Sequence, residues 1–184
     1  MRPGVEVDRR GAATWELSGA LFILLVGSIL HFVFEWTGEF LPVAPFAPVN
    51  ESVWEHLKMA FWPALVWALI ERAPLRGRVN NFLLAKSAGI LLMPPVIAAF
   101  FYTYTAILGH HLLALDATSF VLAILAGQYV SFRLLTGDER NPVEARLFMI
   151  LIIVAGLMFV TFTFVPPHVG LFMDGPSGQF GILS

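Results

Sequence analysis

The chain has 184 residues, of which 58% are hydrophobic and 13% are charged, and its formal net charge is −2. A soluble domain carries about 25% charged residues, and a small water-soluble fold could not hide this much apolar side chain, so the composition predicts a membrane protein. The weakly negative charge offers no basic face for nucleic acid, and the absence of cysteine excludes disulfides, thiolate catalysis and cysteine-ligated metal centres.

We interpret five mainly apolar segments of the chain as membrane spans, each of which takes about 20 residues in a helix. We therefore predict an all-α fold, a polytopic transmembrane helical bundle of about five spans that forms a single membrane domain over residues 1–184. The predicted spans, in chain order, are 17–36, 53–70, 82–107, 117–135 and 147–165. The third span contains Pro94-Pro95, which removes two backbone N–H donors and predicts either a plain kink or a broken helix at a binding site.

The distribution of basic residues predicts the orientation of the bundle. Lys and Arg are absent from the connections 37–52 and 108–116 and from the tail after 165, whereas the remaining connections are rich in arginine. By the positive-inside rule, the amino terminus then lies in the cytoplasm and the carboxyl terminus outside. The arginines that carry this prediction are Arg2, Arg9, Arg10, Arg72, Arg76, Arg78, Arg133, Arg140 and Arg146. The only two lysines, Lys58 and Lys86, lie about one turn inside the ends of predicted spans, where they can snorkel toward the interface.

On this topology the histidines collect at the outer side of the membrane, together with several carboxylates. Ionisable groups at membrane depth are costly and are expected to face partners or water. His31 and Glu35 are spaced i, i+4 and share a helix face, an arrangement that suits a metal site or an interfacial hydrogen-bonded pair. The inner halves of the spans are almost wholly apolar, which favours a site on one side over a conduit through the membrane.

The segment 48–58, PVNESVWEHLK, is the densest polar stretch of the chain. Ser52 and Glu55 match a capping box at the start of the second span, Asn50 is an equally good N-cap, and Glu55 can pair with Lys58 at i, i+3. These capping roles leave His56 unexplained, and its depth in the membrane favours a functional role.

The tail after the fifth span, residues 166–184, is rich in turn formers but keeps apolar anchors such as Phe172, Phe180 and Ile182. A disordered tail would lack such anchors. We expect it to fold back over the outer mouth of the bundle as a C-terminal lid with a turn at Asp174-Gly175, the alternative being a frayed terminus.

The segments PVNESVWEHLK (48–58), FYTYTAILG (101–109) and PPHVGLFMDGPSGQFGI (166–182) resemble a family of small bacterial multi-pass membrane proteins of unknown function. This resemblance covers essentially the whole chain and implies a membrane location. The stretch 50–56, NESVWEH, is similar to the start of a span in the superfamily of progestin/adiponectin receptors and alkaline ceramidases, which are membrane hydrolases. The chain differs from that superfamily in spacing, has fewer spans and lacks the late paired His-x-x-x-His that supplies zinc ligands.

The outer polar cluster supports several functions. One is a zinc or other divalent metal site, with hydrolysis of a lipid or amide at the outer leaflet. Others are a small transporter or ion-binding component whose pathway is lined by the proline break, haem ligation by His31 with another histidine, and an accessory subunit whose polar cluster only fixes helix packing. The predicted outer-face site comprises His31, Glu35, Asn50, Glu51, Ser52, Glu55, His56, His168 and Asp174, with His110 and His111 as further candidates. Its metal ligands would be His31, Glu35 and His56.

The expected location is the bacterial cytoplasmic (inner) membrane. The expected partners are the lipid bilayer and either further copies of the chain or a membrane complex. The sequence contains no P-loop, nucleophile elbow, HExxH motif or dinucleotide fingerprint. It therefore identifies no catalytic residue.

Overall fold

The apolar segments form five α-helices in the computed structural model of the protein, which describes residues 7–182. Arg2, which contributes to the predicted orientation, and residues 183–184 of the predicted lid lie outside the described residues. The helices are α1 (Arg9–Trp36), α2 (Val53–Leu75), α3 (Phe82–Leu108), α4 (Leu113–Leu135) and α5 (Pro142–Phe164). Between residues 7 and 182 there is no β-strand, only an isolated bridge from Met173 to Phe180, so the all-α helical bundle is confirmed.

Four of the five helices, α1, α3, α4 and α5, are long and apolar enough to cross a membrane. The remaining helix, α2, has 23 residues, as many as α4 and α5. It carries Glu55, Lys58, Glu71 and Arg72, the first three of which are buried. The membrane crossing of α2 stays a prediction of the sequence.

Local capping explains why several helices are longer than the predicted spans. Asp8 accepts a hydrogen bond from the Gly11 backbone N–H at 2.8 Å, so α1 begins at Arg9. Asn141 caps α5 in the same way, with Pro142 at the first helical position. These caps, rather than hydrophobicity, decide where a helix begins. In addition, α3 continues without a break through Pro94-Pro95, so the helix is not interrupted there.

The bundle core is formed by α1 to α4, and α5 lies against α3 and α2. Buried apolar side chains such as Ile23, Phe61 and Met93 fill the centre. The backbones of α3 and α4 approach closely at a pair of glycines, since a Cβ atom on Gly89 would lie 2.6 Å from the carbonyl oxygen of Gly127. Small residues permit this kind of approach between helices in membranes.

The connections gather at two ends of the bundle. At one end the backbone N–H of Asp8 bonds to Arg78, that of Asn80 bonds to Leu135, and the side chain of Asn81 reaches Asp138. We call this the arginine end, residues 7–10, 72–81 and 133–146. We call the opposite end the histidine end, residues 31–56, 104–116 and 163–182, because all five histidines lie in it.

Candidate functional site

Two helix termini bring His31 and His56 together at the histidine end. His31 lies in the last turns of α1, and His56 lies in the first turn of α2, just after the N-cap Ser52. Their ring centroids are 5.1 Å apart and their planes are inclined by 37°. The loop before α2 carries Glu51, so its carboxylate approaches both rings.

The carboxylate of Glu51 lies between the two imidazoles. Its Oε2 atom is 3.4 Å from Nε2 of His56, and its Oε1 atom is 3.9 Å from Nε2 of His31. One ligand atom from each of the three residues can be chosen so that all lie within 4.8 Å of one another. At zinc–nitrogen and zinc–oxygen lengths of about 2.0–2.2 Å, tetrahedral ligands lie about 3.4 Å apart. The cluster is therefore close to the size of a zinc site, and His31 needs the largest inward shift.

Backbone hydrogen bonding fixes the tautomer of His56. Its Nδ1 atom lies 2.8 Å from the carbonyl oxygen of Ser52, and because a carbonyl can only accept, Nδ1 must carry the proton. The lone pair of a neutral ring is then on Nε2, the atom that faces Glu51. Metal-binding histidines in proteins commonly donate the second ring nitrogen to a carbonyl in this way.

The three side chains are partly open to the outside of the bundle. The exposed fraction is 27% for the His31 side chain, 31% for that of His56 and 54% for that of Glu51. The contact with His56 lowers the pKa of Glu51 below its ordinary value, against the opposing effect of partial burial. Glu51 is thus a carboxylate at neutral pH and can act as a ligand.

The C-terminal segment holds the Glu51 loop in place. The backbone N–H of Glu51 donates to Asp174 at 2.8 Å, and the side-chain amide of Asn50 donates to the Gly181 carbonyl at 2.8 Å. Asp174 also accepts from the backbone N–H and hydroxyl of Ser177. Although burial opposes ionisation, these hydrogen bonds lower the pKa of Asp174. Phe172 anchors the segment against Trp54, with ring centroids 4.8 Å apart.

Other residues of the predicted site lie around this cluster. Glu35 is exposed and near enough to His31 for their charges to interact, but it is outside the group of three. His168 is exposed and packs against Phe180. His110 and His111 are also exposed, and His111 contacts Asp116 at 3.4 Å.

Glu55 points away from the imidazoles and forms a buried ion pair with Lys58. The Nζ atom of Lys58 lies 2.5 Å from the Glu55 carboxylate. Lys58 is fully buried and also donates to the Ala44 carbonyl and the Thr163 hydroxyl. The prediction that Lys58 snorkels is therefore wrong, because loop and α5 acceptors reach it inside the bundle.

Only half of the predicted capping box forms. Ser52 accepts from the Glu55 backbone N–H, whereas the Glu55 carboxylate accepts from the Val49 N–H at 3.0 Å instead of returning to Ser52. The Ser52 N–H bonds to Asn50 at 2.8 Å. Ser52 and Asn50 thus shape the loop that presents Glu51.

A second polar cluster, which the sequence analysis missed, lies toward the arginine end. Lys86 contacts the carboxylates of both Glu16 and Glu71, and all three side chains are buried. The expectation of an apolar inner half is therefore wrong, as is the prediction that Lys86 snorkels. The first predicted span begins at residue 17 and the second ends at residue 70, so each stops one residue short of a glutamate. The glutamate directly beside each of these boundaries could have indicated the cluster. Capped helices extend beyond their apolar core, so such a residue can still lie within the helix.

The family model described as "Family of unknown function (DUF6512)" matches residues 7–182 of the chain. No curated protein and no solved structure matches the chain. The resemblance to a family of unknown function is thereby confirmed, and the comparisons provide no link to the superfamily of progestin/adiponectin receptors and alkaline ceramidases.

Proposed function

Because the chain belongs to DUF6512, a family of unknown function, we propose its function from the site itself: it is a membrane protein that binds a divalent metal ion, with zinc the best fit, at the histidine end. The ligands are His31, Glu51 and His56. Imidazole nitrogens are borderline donors that suit zinc, and a carboxylate oxygen is a common third zinc ligand. In this proposal Glu51 takes the place that the sequence analysis assigned to Glu35.

The observation that carries the proposal is the arrangement around Nε2 of His56. The Ser52 carbonyl requires the proton on Nδ1, so a neutral ring would direct a lone pair at a carboxylate oxygen 3.4 Å away. Two acceptors facing each other repel unless a positive charge lies between them. A metal ion in that position resolves the repulsion and also engages His31. A second proton on His56 is the competing explanation.

A three-residue ligand set leaves one tetrahedral position open, which distinguishes catalytic from structural zinc sites. The exposed Glu51 side chain indicates that this position faces the outside of the bundle. A zinc ion held by these three residues would lower the pKa of a water ligand to about 7 and so would supply a nucleophile at neutral pH. We therefore propose hydrolysis of a lipid or amide at the outer leaflet of a bacterial inner membrane, with the amino terminus in the cytoplasm.

Metal binding is tested on purified protein with Zn²⁺ alone, by elemental analysis and by competition with a chromophoric chelator. We expect one zinc per chain. We also expect His31→Ala, Glu51→Gln and His56→Ala each to weaken binding by more than the ~10–100-fold typical of an outer-shell partner. The matched controls are His110→Ala and His168→Ala, exposed histidines of the same end, which should bind like the wild type. Binding unchanged in all three ligand variants would exclude the site.

Hydrolysis requires its own readout. The zinc-loaded protein in lipid nanodiscs is given a fluorogenic lipid amide and a fluorogenic ester. Turnover that is lost with Glu51→Gln and restored by added Zn²⁺ only in the wild type supports a hydrolase. Zinc binding without turnover limits the function to metal binding.

Transport is the second candidate function, and the buried cluster of Glu16, Glu71 and Lys86 favours it because a conduit needs polar groups at both ends. An apolar layer that includes Ile23 and Met93 lies between the two clusters, which argues against a continuous pathway. Zinc flux into proteoliposomes would decide in favour of transport.

Haem binding is less well supported, since the rings of His31 and His56 are 5.1 Å apart with a carboxylate between them and leave no room for a porphyrin. If neither bound metal nor zinc flux is found, the remaining interpretation is an accessory subunit whose polar cluster only fixes helix packing.

A further inference from the structure

Two carboxylates share a single lysine in the buried cluster at the arginine end. The ammonium group of Lys86 on α3 contacts Oε1 of Glu16 on α1 and lies 2.5 Å from Oε1 of Glu71 on α2. The exposed fraction is 4% for Glu16, 0% for Glu71 and 6% for Lys86. With both carboxylates ionised, the cluster carries one uncompensated negative charge in a buried place.

The hydrogen bonds of the cluster are also incomplete. Ser131 donates to Oε1 of Glu16 at 2.7 Å. The side-chain amide of Gln128 donates to the backbone carbonyl of Glu16 and is therefore not free for the carboxylates. Among the described residues, Oε2 of Glu16 and both oxygens of Glu71 are buried without a hydrogen-bond partner, although Oε1 of Glu71 is ion-paired. The indole N–H of Trp67 lies near Glu71, but within residues 7–182 it meets no acceptor with hydrogen-bond geometry. Acceptors therefore outnumber donors.

Within residues 7–182, the ion pairs of the cluster involve only Lys86, Glu16 and Glu71. The charges that act on Glu16 and Glu71 are that of Lys86, which attracts both, and those of the two carboxylates, which repel each other. Among the described residues, the α4 side chains that hydrogen-bond to Glu16 are the neutral Ser131 and Gln128. None of the described arginines forms an ion pair with Glu16 or Glu71, whose cation partner is Lys86.

We infer that the cluster of Glu16, Glu71 and Lys86 is a proton-binding site, which holds one carboxyl group in its protonated form at neutral pH. A proton taken from solvent by one carboxylate forms an O–H bond, supplies the missing donor and reduces the net charge of the cluster to zero. Burying an unpaired charge is far more costly than binding a proton. Like-charged carboxylates in one site commonly share a proton in this way.

This site is separate from the proposed metal site. Along α1, Glu16 and His31 are about 22 Å apart at ~1.5 Å rise per residue. The apolar layer that includes Ile23 and Met93 lies between them. The proton-binding site therefore stands whether or not zinc binds at the histidine end.

Infrared difference spectroscopy of the full chain in nanodiscs tests the inference, because a protonated carboxylic acid has a carbonyl stretch that a carboxylate lacks. We expect the wild type at pH 7 to show one such band, shifted by deuterium exchange and unaffected by a zinc chelator. Glu71→Gln and Glu16→Gln should each abolish it, since one carboxylate then balances Lys86. Lys86→Met should strengthen it, since both carboxylates then require protons.

The matched control is Glu139→Gln, an exposed carboxylate of the arginine end, which should leave the band unchanged. Either glutamine variant alone is sufficient if the other does not fold. A wild type without the band at pH 7 would overturn the inference, as would a band that survives in both glutamine variants. A band that appears only when sodium or potassium is removed would also overturn it, because the resident ligand would then be a metal cation.

Discussion

The backbone N–H of Glu51 donates a hydrogen bond of 2.8 Å to the carboxylate of Asp174, which lies 123 residues further along the chain. This bond ties the loop before α2 to the C-terminal segment. It also holds the one carboxylate that lies between His31 and His56. The C-terminal segment is thus part of the support of the proposed metal site.

Removal of this support should weaken zinc binding without removing a ligand. We expect Asp174→Ala to lower zinc affinity by about 10–100-fold, the range found for outer-shell partners of metal ligands, because the Glu51 loop loses its anchor. The measurement is chelator competition, with Asp138→Ala, an exposed aspartate of the arginine end, as the control. Wild-type affinity in Asp174→Ala would show that the tail does not position Glu51.

The buried ion pair of Lys58 and Glu55 should dominate the stability of the histidine end. Lys58→Met leaves the Glu55 carboxylate buried without its cation, so we expect the free energy of unfolding to fall by about 3–5 kcal/mol. The double variant Lys58→Met with Glu55→Gln should recover much of this loss. Chemical unfolding in detergent micelles measures both. A loss below ~1 kcal/mol in the single variant would contradict the burial of the pair.

The close approach of α3 and α4 should make Gly89 sensitive to a single methyl group. A Cβ atom there would lie 2.6 Å from the backbone oxygen of Gly127, whereas on Gly156 of α5 its nearest neighbour, in Trp62, would be 3.6 Å away. We expect Gly89→Ala to cost about 1–3 kcal/mol through overpacking, and Gly156→Ala to be neutral or stabilising. Equal melting temperatures of the two variants would argue against this helix contact.

The predicted orientation can be tested with single cysteines, since the chain has none of its own. His110→Cys and Glu139→Cys place exposed thiols at the histidine end and the arginine end, respectively. A membrane-impermeant thiol reagent should label position 110 in intact bacterial cells and position 139 only after lysis. The reverse pattern would place the proposed metal site in the cytoplasm.

The fold was predictable because long, mainly apolar segments form helices in a membrane protein. All five helices lie where the sequence places them. Their ends were less predictable, because Asp8 and Asn141 extend α1 and α5 beyond their apolar segments by capping.

The polar contacts were harder to predict, since they depend on which side chains of different helices meet. The i, i+4 spacing of His31 and Glu35 pointed to a pair on one helix, but it is the loop residue Glu51 that lies between the imidazoles. Likewise, nothing in the local sequence of Lys86 indicates that Glu16 and Glu71 approach it. Such contacts follow from tertiary packing, which short-range spacing does not encode.

X-ray absorption spectroscopy of the zinc-loaded protein tests the proposed site most directly, because it reports the ligands of the metal itself. We predict two imidazole nitrogens and carboxylate or water oxygens at about 2.0–2.2 Å. One imidazole contribution should be lost in His56→Ala, and none in His168→Ala. A spectrum without imidazole scattering, or one that is identical in the wild type and His56→Ala, would contradict the proposal.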